Sequence, residues 1–151
     1  MKNIKVIVIA ALFSAFGASL TFAHEPDMSD EMAAYVARDG IMHLIGAQRN
    51  ILRNMASGKI PDNRREFVRA ANALAAMFAM LPTTFEKNAM VAESRAKPEI
   101  WTNWDEFVSA ANTLSAVAAN IATTAGTVGL DAGKAKIGEI DCGSCHTPFR
   151  E

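Results

Sequence analysis

Residues 103–121 read NWDEFVSAANTLSAVAANI, with apolar side chains at Phe107, Ala110, Ala111, Leu114, Val117, Ala118 and Ile121. Steps of three and four put these on one face of an α-helix, and no strand-like alternation competes. Asn103 followed by Glu106 has the spacing of a capping box at the start, and Gly126 marks where the helix should fray. The same period recurs upstream. Ser29 can cap a helix through Met32, Tyr35, Val36, Ile41, Met42, Ile45, Leu52 and Met55, ending near Ser57 and Gly58. Asp62, after Pro61, can cap a second through Phe67, Val68, Ala71, Leu74, Ala75, Phe78 and Met80. The Leu81-Pro82 pair should stop it, because proline disfavours helix in the residue before it.

The connection between these two helices is short, so they should be antiparallel neighbours. From Pro82 to Asn103 the period fades and Pro98 interrupts, which predicts a long crossover with Ile100 and Trp101 folded back on the core. A fourth helix is expected from near Asp131 through Lys134, Ile137 and Ile140 to the carboxy terminus. The predicted fold class is all-α: an antiparallel four-helix bundle with a long crossover between helices 2 and 3. Such bundles build cofactor sites from inward-facing side chains.

With 151 residues, half of them apolar, the chain amounts to one domain. A formal charge of -1 leaves no basic field for a nucleic-acid backbone, so no nucleic-acid partner is expected. Residues 1–23 have the form of a secretory signal: Lys2 and Lys5, an apolar stretch from Val6 to Phe16 broken only by Ser14, then small residues before a cleavage point after Ala23. An uncleaved anchor is the alternative, but the strongly apolar stretch is shorter than the roughly 20 residues that span a bilayer. Cleavage would leave residues 24–151 as the bundle, with 13 basic and 16 acidic residues, exported to a bacterial periplasm without stable membrane insertion.

The chemistry is concentrated in Cys142-Gly143-Ser144-Cys145-His146, near the carboxy terminus. Cys-x-x-Cys-His is the attachment sequence of c-type haem. Residues three apart share a helix face, so each thiol can add to one vinyl group, and His146 is then held under the iron as an axial ligand. A thioredoxin-like dithiol would require a βαβ context, and half of a zinc site would require further ligands where the remaining histidines are only His24 and His43. Arg38 and Met42 face the same way, one turn apart on the first helix. The Met42 thioether is either a second axial ligand or core filler in a chain with eight methionines.

Other conspicuous residues have plainer readings. His43 points about 100° away from Met42, and His24 has no assembled co-ligands. Trp101 and Trp104 suit crossover packing, and Arg64, Arg65 and Arg69 suit a solvated face or a docking patch near a helix start.

Four stretches together resemble the cytochrome c prime family: Tyr35-x-x-Arg38-x-x-x-Met42, Leu81-Pro82-x-x-Phe85, Lys97-Pro98-Glu99-Ile100-Trp101 and Cys142-x-x-Cys145-His146-x-x-Phe149-Arg150. The resemblance implies an exported four-helix bundle with one haem c per chain. It places Met42 at the distal face, where most of the family has a non-ligating residue and a low-spin subgroup has methionine. It makes Arg38 a partner of a haem propionate, Phe85 part of the pocket wall and Arg150 a basic residue beside the proximal face. Two departures stand out: Thr83 replaces a frequent aromatic, and Pro148 follows the ligand histidine by two residues, removing a donor that would have met the Ser144 carbonyl.

The expected function is one-electron transfer between periplasmic redox donor and acceptor proteins, through iron held by His146 and Met42. Catalysis by the protein itself is not implied. The alternative is a five-coordinate protein that binds nitric oxide or another diatomic gas, with Met42 only packed over the iron. A homodimer through the first two helices is a further expectation from the resemblance.

Overall fold

The computed structural model describes residues 28–151, so the signal segment at 1–23 and His24 lie outside the described residues. The helices are α1 (Asp30–Ala56), α2 (Arg64–Phe85), α3 (Glu99–Thr102), α4 (Trp104–Thr127), α5 (Leu130–Ala135) and α6 (Gly143–Phe149), with a 3-10 turn at Ile137–Glu139. Three long helices and a broken fourth segment make the four-helix bundle. Among the described residues no strand forms, only an isolated antiparallel bridge between Ala96 and Arg150. No described helix is long and apolar enough to cross a membrane.

Helix α1 starts as its sequence dictates, with Ser29 Oγ accepting from the Met32 amide at 3.3 Å. Helix α2 departs from expectation at both ends. Asn63, not Asp62, is its cap, accepting from the Glu66 amide at 3.1 Å, while Asp62 instead accepts from Lys134 Nζ at 2.7 Å. At the other end α2 runs on through Pro82 to Phe85. Proline removes one amide donor but leaves the next turn free to form. Burial of Leu81 and Phe85 on the core face repays that loss.

The crossover contains α3, whose Ile100 is wholly buried. Asn103 ends α3, its amide bonding the Glu99 carbonyl at 2.9 Å, and starts α4 at once. It makes no side-chain cap bond, so the expected capping box with Glu106 does not form. The fourth helix is not continuous but comprises α5, the 3-10 turn and α6. Asp141 interrupts it: its Oδ1 accepts from the Gly143 amide at 2.9 Å, and its carbonyl accepts from Ser144 Oγ at 2.7 Å. Val36 and Met80, expected on apolar faces, stand exposed.

Phe67, Leu52, Met55, Leu74 and Ile121 form the wholly buried centre. Helix α2 packs most extensively against α4, and the small side chains of Ala70, Ala71, Ala111, Ala118 and Ala122 on these two helices are buried. Gly129, at φ 145°, makes the reversal from α4 into α5, a conformation open to glycine. Gly133 then brings α5 onto α4: a Cβ there would lie 2.6 Å from Ala125 Cβ and 3.1 Å from Phe67.

Arg38 is the one charged residue buried among the described residues, 4% exposed. Its Nε donates to the Thr84 carbonyl at 3.1 Å, one terminal nitrogen to the Ala89 carbonyl at 2.6 Å, and the other to the Lys87 carbonyl. The guanidinium carbon lies 4.9 Å from the centre of the Phe85 ring and 5.3 Å from that of Trp101. Trp101 Nε1 donates to the Phe85 carbonyl at 2.8 Å. This clamp ties α1 to the end of α2 and to the crossover.

Two stability outcomes follow from these contacts. Gly133→Ala should lower unfolding free energy by about 1–3 kcal/mol despite alanine's higher helix propensity, because overpacking outweighs the propensity gain. Denaturant titration that finds Gly133→Ala as stable as the parent would refute the close approach. Arg38→Met should cost about 1–3 kcal/mol by leaving buried carbonyls without donors, and amide exchange should accelerate around residues 84–89.

Candidate cofactor site

A cavity of about 600 Å³ opens between α1, the end of α2, α4 and the last segment of the chain. That is within the usual range of cofactor pockets, about 300–1,000 Å³. All seven candidate residues, Arg38, Met42, Phe85, Cys142, Cys145, His146 and Arg150, line it. Residues from opposite ends of the sequence are thus brought to one space. Apolar side chains dominate the wall, including Ile45, Phe78, Leu81, Ile100 and Leu114.

Cys142 and Cys145 are free thiols, both half-buried, and Cys142 stands at the start of α6. The turn that presents them is closed by the His146 amide donating to the Cys142 carbonyl at 3.0 Å and the Arg150 amide to the His146 carbonyl at 3.1 Å. Pro148 lies inside this helix without opening that turn. Burial pushes the Cys145 thiol pKa up. His146 is pulled below its ordinary value, first by burial and then by the charges of Arg150 and Arg95. A neutral imidazole is the form that binds a metal.

The last residues are fixed to the crossover by backbone bonds. Lys97 donates to Phe149 at 3.0 Å and Glu151 to Arg95 at 2.9 Å, on either side of the Ala96–Arg150 bridge. Phe149 meets Phe107 edge-on at 5.4 Å between ring centres, and Phe107 lies 5.0 Å from Phe85. The aromatic wall therefore continues from α6 through α4 to α2.

Arg38, which the resemblance makes a propionate partner, lines the cavity while giving three donors to carbonyls of residues 84, 87 and 89. Met42 is half-buried and is the only methionine on the cavity wall among the described residues. His43 stands at the rim, 81% exposed, 3.4 Å from Asp39. Trp101 packs in the crossover, and Arg64 donates to the Gly126 carbonyl, tying the start of α2 to the end of α4.

Two basic residues on the wall escaped the sequence reading, Arg49 and Arg95. Arg49 follows Met42 by seven residues, a spacing that puts it on the same helix face and could have revealed it. Arg95 lies in the aperiodic crossover, where the sequence carries no such signal.

The residues fit a haem. Two thiols at helical spacing, an adjacent neutral imidazole, an apolar space of this size and a buried, unpartnered Arg49 Nε suit a flat apolar ring with anionic arms. The zinc alternative finds no support, because no cluster of three histidine, cysteine, aspartate or glutamate side chains forms among the described residues.

A sequence profile described as Cytochrome C' matches residues 33–150. No curated protein sequence gives a significant match. Among solved structures, cytochrome c' from Rubrivivax gelatinosus is 24% identical, covering 76% of this chain and 91% of its own, at a TM-score of 0.66. A ferric variant of cytochrome c prime from Alcaligenes xylosoxidans, complexed with nitrite, is 18% identical, covering 83% and 99%, at 0.72. A ferrous variant from the same organism, with bound NO, is 17% identical, covering 83% and 100%, at 0.72. At these identities the structures establish the shared fold, and the profile match over nearly all described residues establishes more: the chain belongs to the cytochrome C' family, monohaem c-type cytochromes with covalently attached haem c.

Proposed function

We propose that this chain is a periplasmic haem c protein that takes up a diatomic gas such as nitric oxide within the cavity lined by Met42. The observation that carries the reading is the composition of the cavity wall. Ile45, Phe78, Leu81 and Leu114 give the wall an apolar inner face, while, His146 apart, the imidazole and carboxylates of the lining, His43, Asp39 and Glu93, are exposed; such a face suits a small neutral gas. Two of the similar structures named above hold small nitrogen oxides, which supports the same choice. The haem would supply an iron able to take up the gas. Cys142 and Cys145 would hold the ring through their sulfur atoms, and His146 would give a nitrogen to the iron. Burial, and after it the charges of Arg150 and Arg95, pull the His146 pKa down and so favour the neutral imidazole, while the packed rings of Phe85, Phe107 and Phe149 line one wall.

A second reading, one-electron transfer with His146 and Met42 as axial ligands, is favoured by one observation: of the methionines in the described chain, only Met42 lines the cavity. In that case redox donor and acceptor proteins of the periplasm would be its partners. Exposed Val36 and Leu44 on α1 and Met80 on α2 are surfaces through which a second copy would pack. The proposal of export rests on the segment 1–23.

Haem attachment is checked on a denaturing gel: the parent should keep peroxidase-active haem, and the Cys142→Ala, Cys145→Ala double variant should lose it. A colourless parent made in a host with attachment machinery would overturn the haem reading. The two readings separate at Met42. Gas binding predicts a high-spin ferric spectrum, rapid uptake of carbon monoxide by the ferrous protein and no change in spin state in Met42→Leu. A low-spin parent that Met42→Leu turns high-spin, with slow carbon monoxide uptake before the change and fast uptake after it, establishes the electron carrier instead. Exchange of methionine for leucine costs under about 1.5 kcal/mol, so the fold survives the test.

A further inference from the structure

The face that α1 turns to the cavity has one gap. Arg38, Met42, Ile45, Gly46 and Arg49 all line the cavity, and of these Gly46 alone carries no side chain. Gly46 lies within about 40° of Met42 around the helix axis and one turn farther along it, near the middle of that face. Inside a long helix glycine is less favourable than any residue but proline, so this position should carry alanine unless something else decides. Packing within the chain does not decide it. A Cβ at Gly46 would meet nothing within 4 Å outside its own stretch of helix, whereas at Gly133 it would lie 2.6 Å from Ala125 Cβ. Close approach of α4 thus accounts for Gly133, while Gly46 faces only the cavity.

Side chains on a helix lean toward its amino-terminal end, so a side chain at position 46 would lie over the turn that holds Met42. It would narrow the cavity there, beside the apolar face made by Ile45, Phe78, Leu81 and Leu114. We propose that Gly46 decides the size of the ligand taken up beside Met42: the gap it leaves in the α1 wall admits neutral, apolar-ended ligands larger than a diatomic gas. The assignment rests on the gas reading and deepens it. Gly40 supplies the contrast. It lies on the same helix, two residues before Met42, is exposed and does not line the cavity, and a Cβ there also meets nothing. Substitution at either glycine therefore gains helix propensity, but only at Gly46 does the new side chain enter the cavity.

The test uses the haem-loaded ferrous protein and two neutral probes of different size, carbon monoxide and tert-butyl isocyanide, with uptake followed by stopped-flow absorption. The parent should take up both. One methylene in an apolar pocket changes discrimination about tenfold or more, so Gly46→Leu should slow the isocyanide by about that factor relative to carbon monoxide. Gly46→Ala should move the ratio of the two rates the same way by less, and Gly40→Ala should leave it at the parent's value. Alanine adds one methyl where nothing in the chain obstructs it, so that variant keeps the test open if leucine disturbs the fold. Both alanine variants should melt at a higher temperature than the parent, as a helix glycine kept for ligand access rather than packing requires. A Gly46→Ala protein that melts lower, or Gly46 variants with the parent's ratio of rates, overturn the assignment and leave the gas reading intact. A parent that is low-spin through Met42 overturns both.

Discussion

The guanidinium of Arg38 holds the architecture around the cavity together. A buried charge survives only where its hydrogen bonds are supplied, and here they come from the carbonyls that α2 leaves free as it ends and from the loop that follows. One side chain of α1 thereby fixes where α2 stops, how the crossover departs and where Trp101 lies. The crossover, so placed, presents residues 95–97 to the last residues of the chain. The cavity exists between these two fixed walls rather than within a uniformly packed bundle.

Much of this was legible in the sequence, because amphipathic period and cap residues are local signals. Ser29 and the stripes of α1, α2 and α4 lead to the helices observed. What failed was local inference where tertiary burial decides. Pro82 reads as a terminator, yet Leu81 and Phe85 are buried and the helix continues past it. Asn103 and Glu106 read as a capping box, yet Asn103 already closes α3 and its side chain makes no cap bond. The segment after Asp131 reads as one helix, yet the side chain and carbonyl of Asp141 divert the backbone bonds that would have carried it through.

The site was legible for a different reason. Covalent attachment demands fixed spacing, so Cys142, Cys145 and His146 are readable without any knowledge of the fold. Met42 and Phe85 carry less information alone, and it is the shared cavity that groups them with the cysteines. Arg38 is legible only in part. Its place on the wall follows from helix periodicity, but its engagement depends on carbonyls 46 to 51 residues away that no pattern in the sequence announces.

The short ladder joining residues 95–97 to 149–151 also bears on the order of assembly. The ladder closes a ring of about fifty residues, as contacts between α2 and α4 also do, but a bridge and two backbone bonds offer far less than buried apolar surface to offset the entropic cost. Bundle packing lowers that cost by bringing the two ends near one another, so the ladder depends on the bundle. The segment that bears the two thiols is thus held to the far wall of the cavity by main-chain bonds as well as by the packing of Phe149 on Phe107.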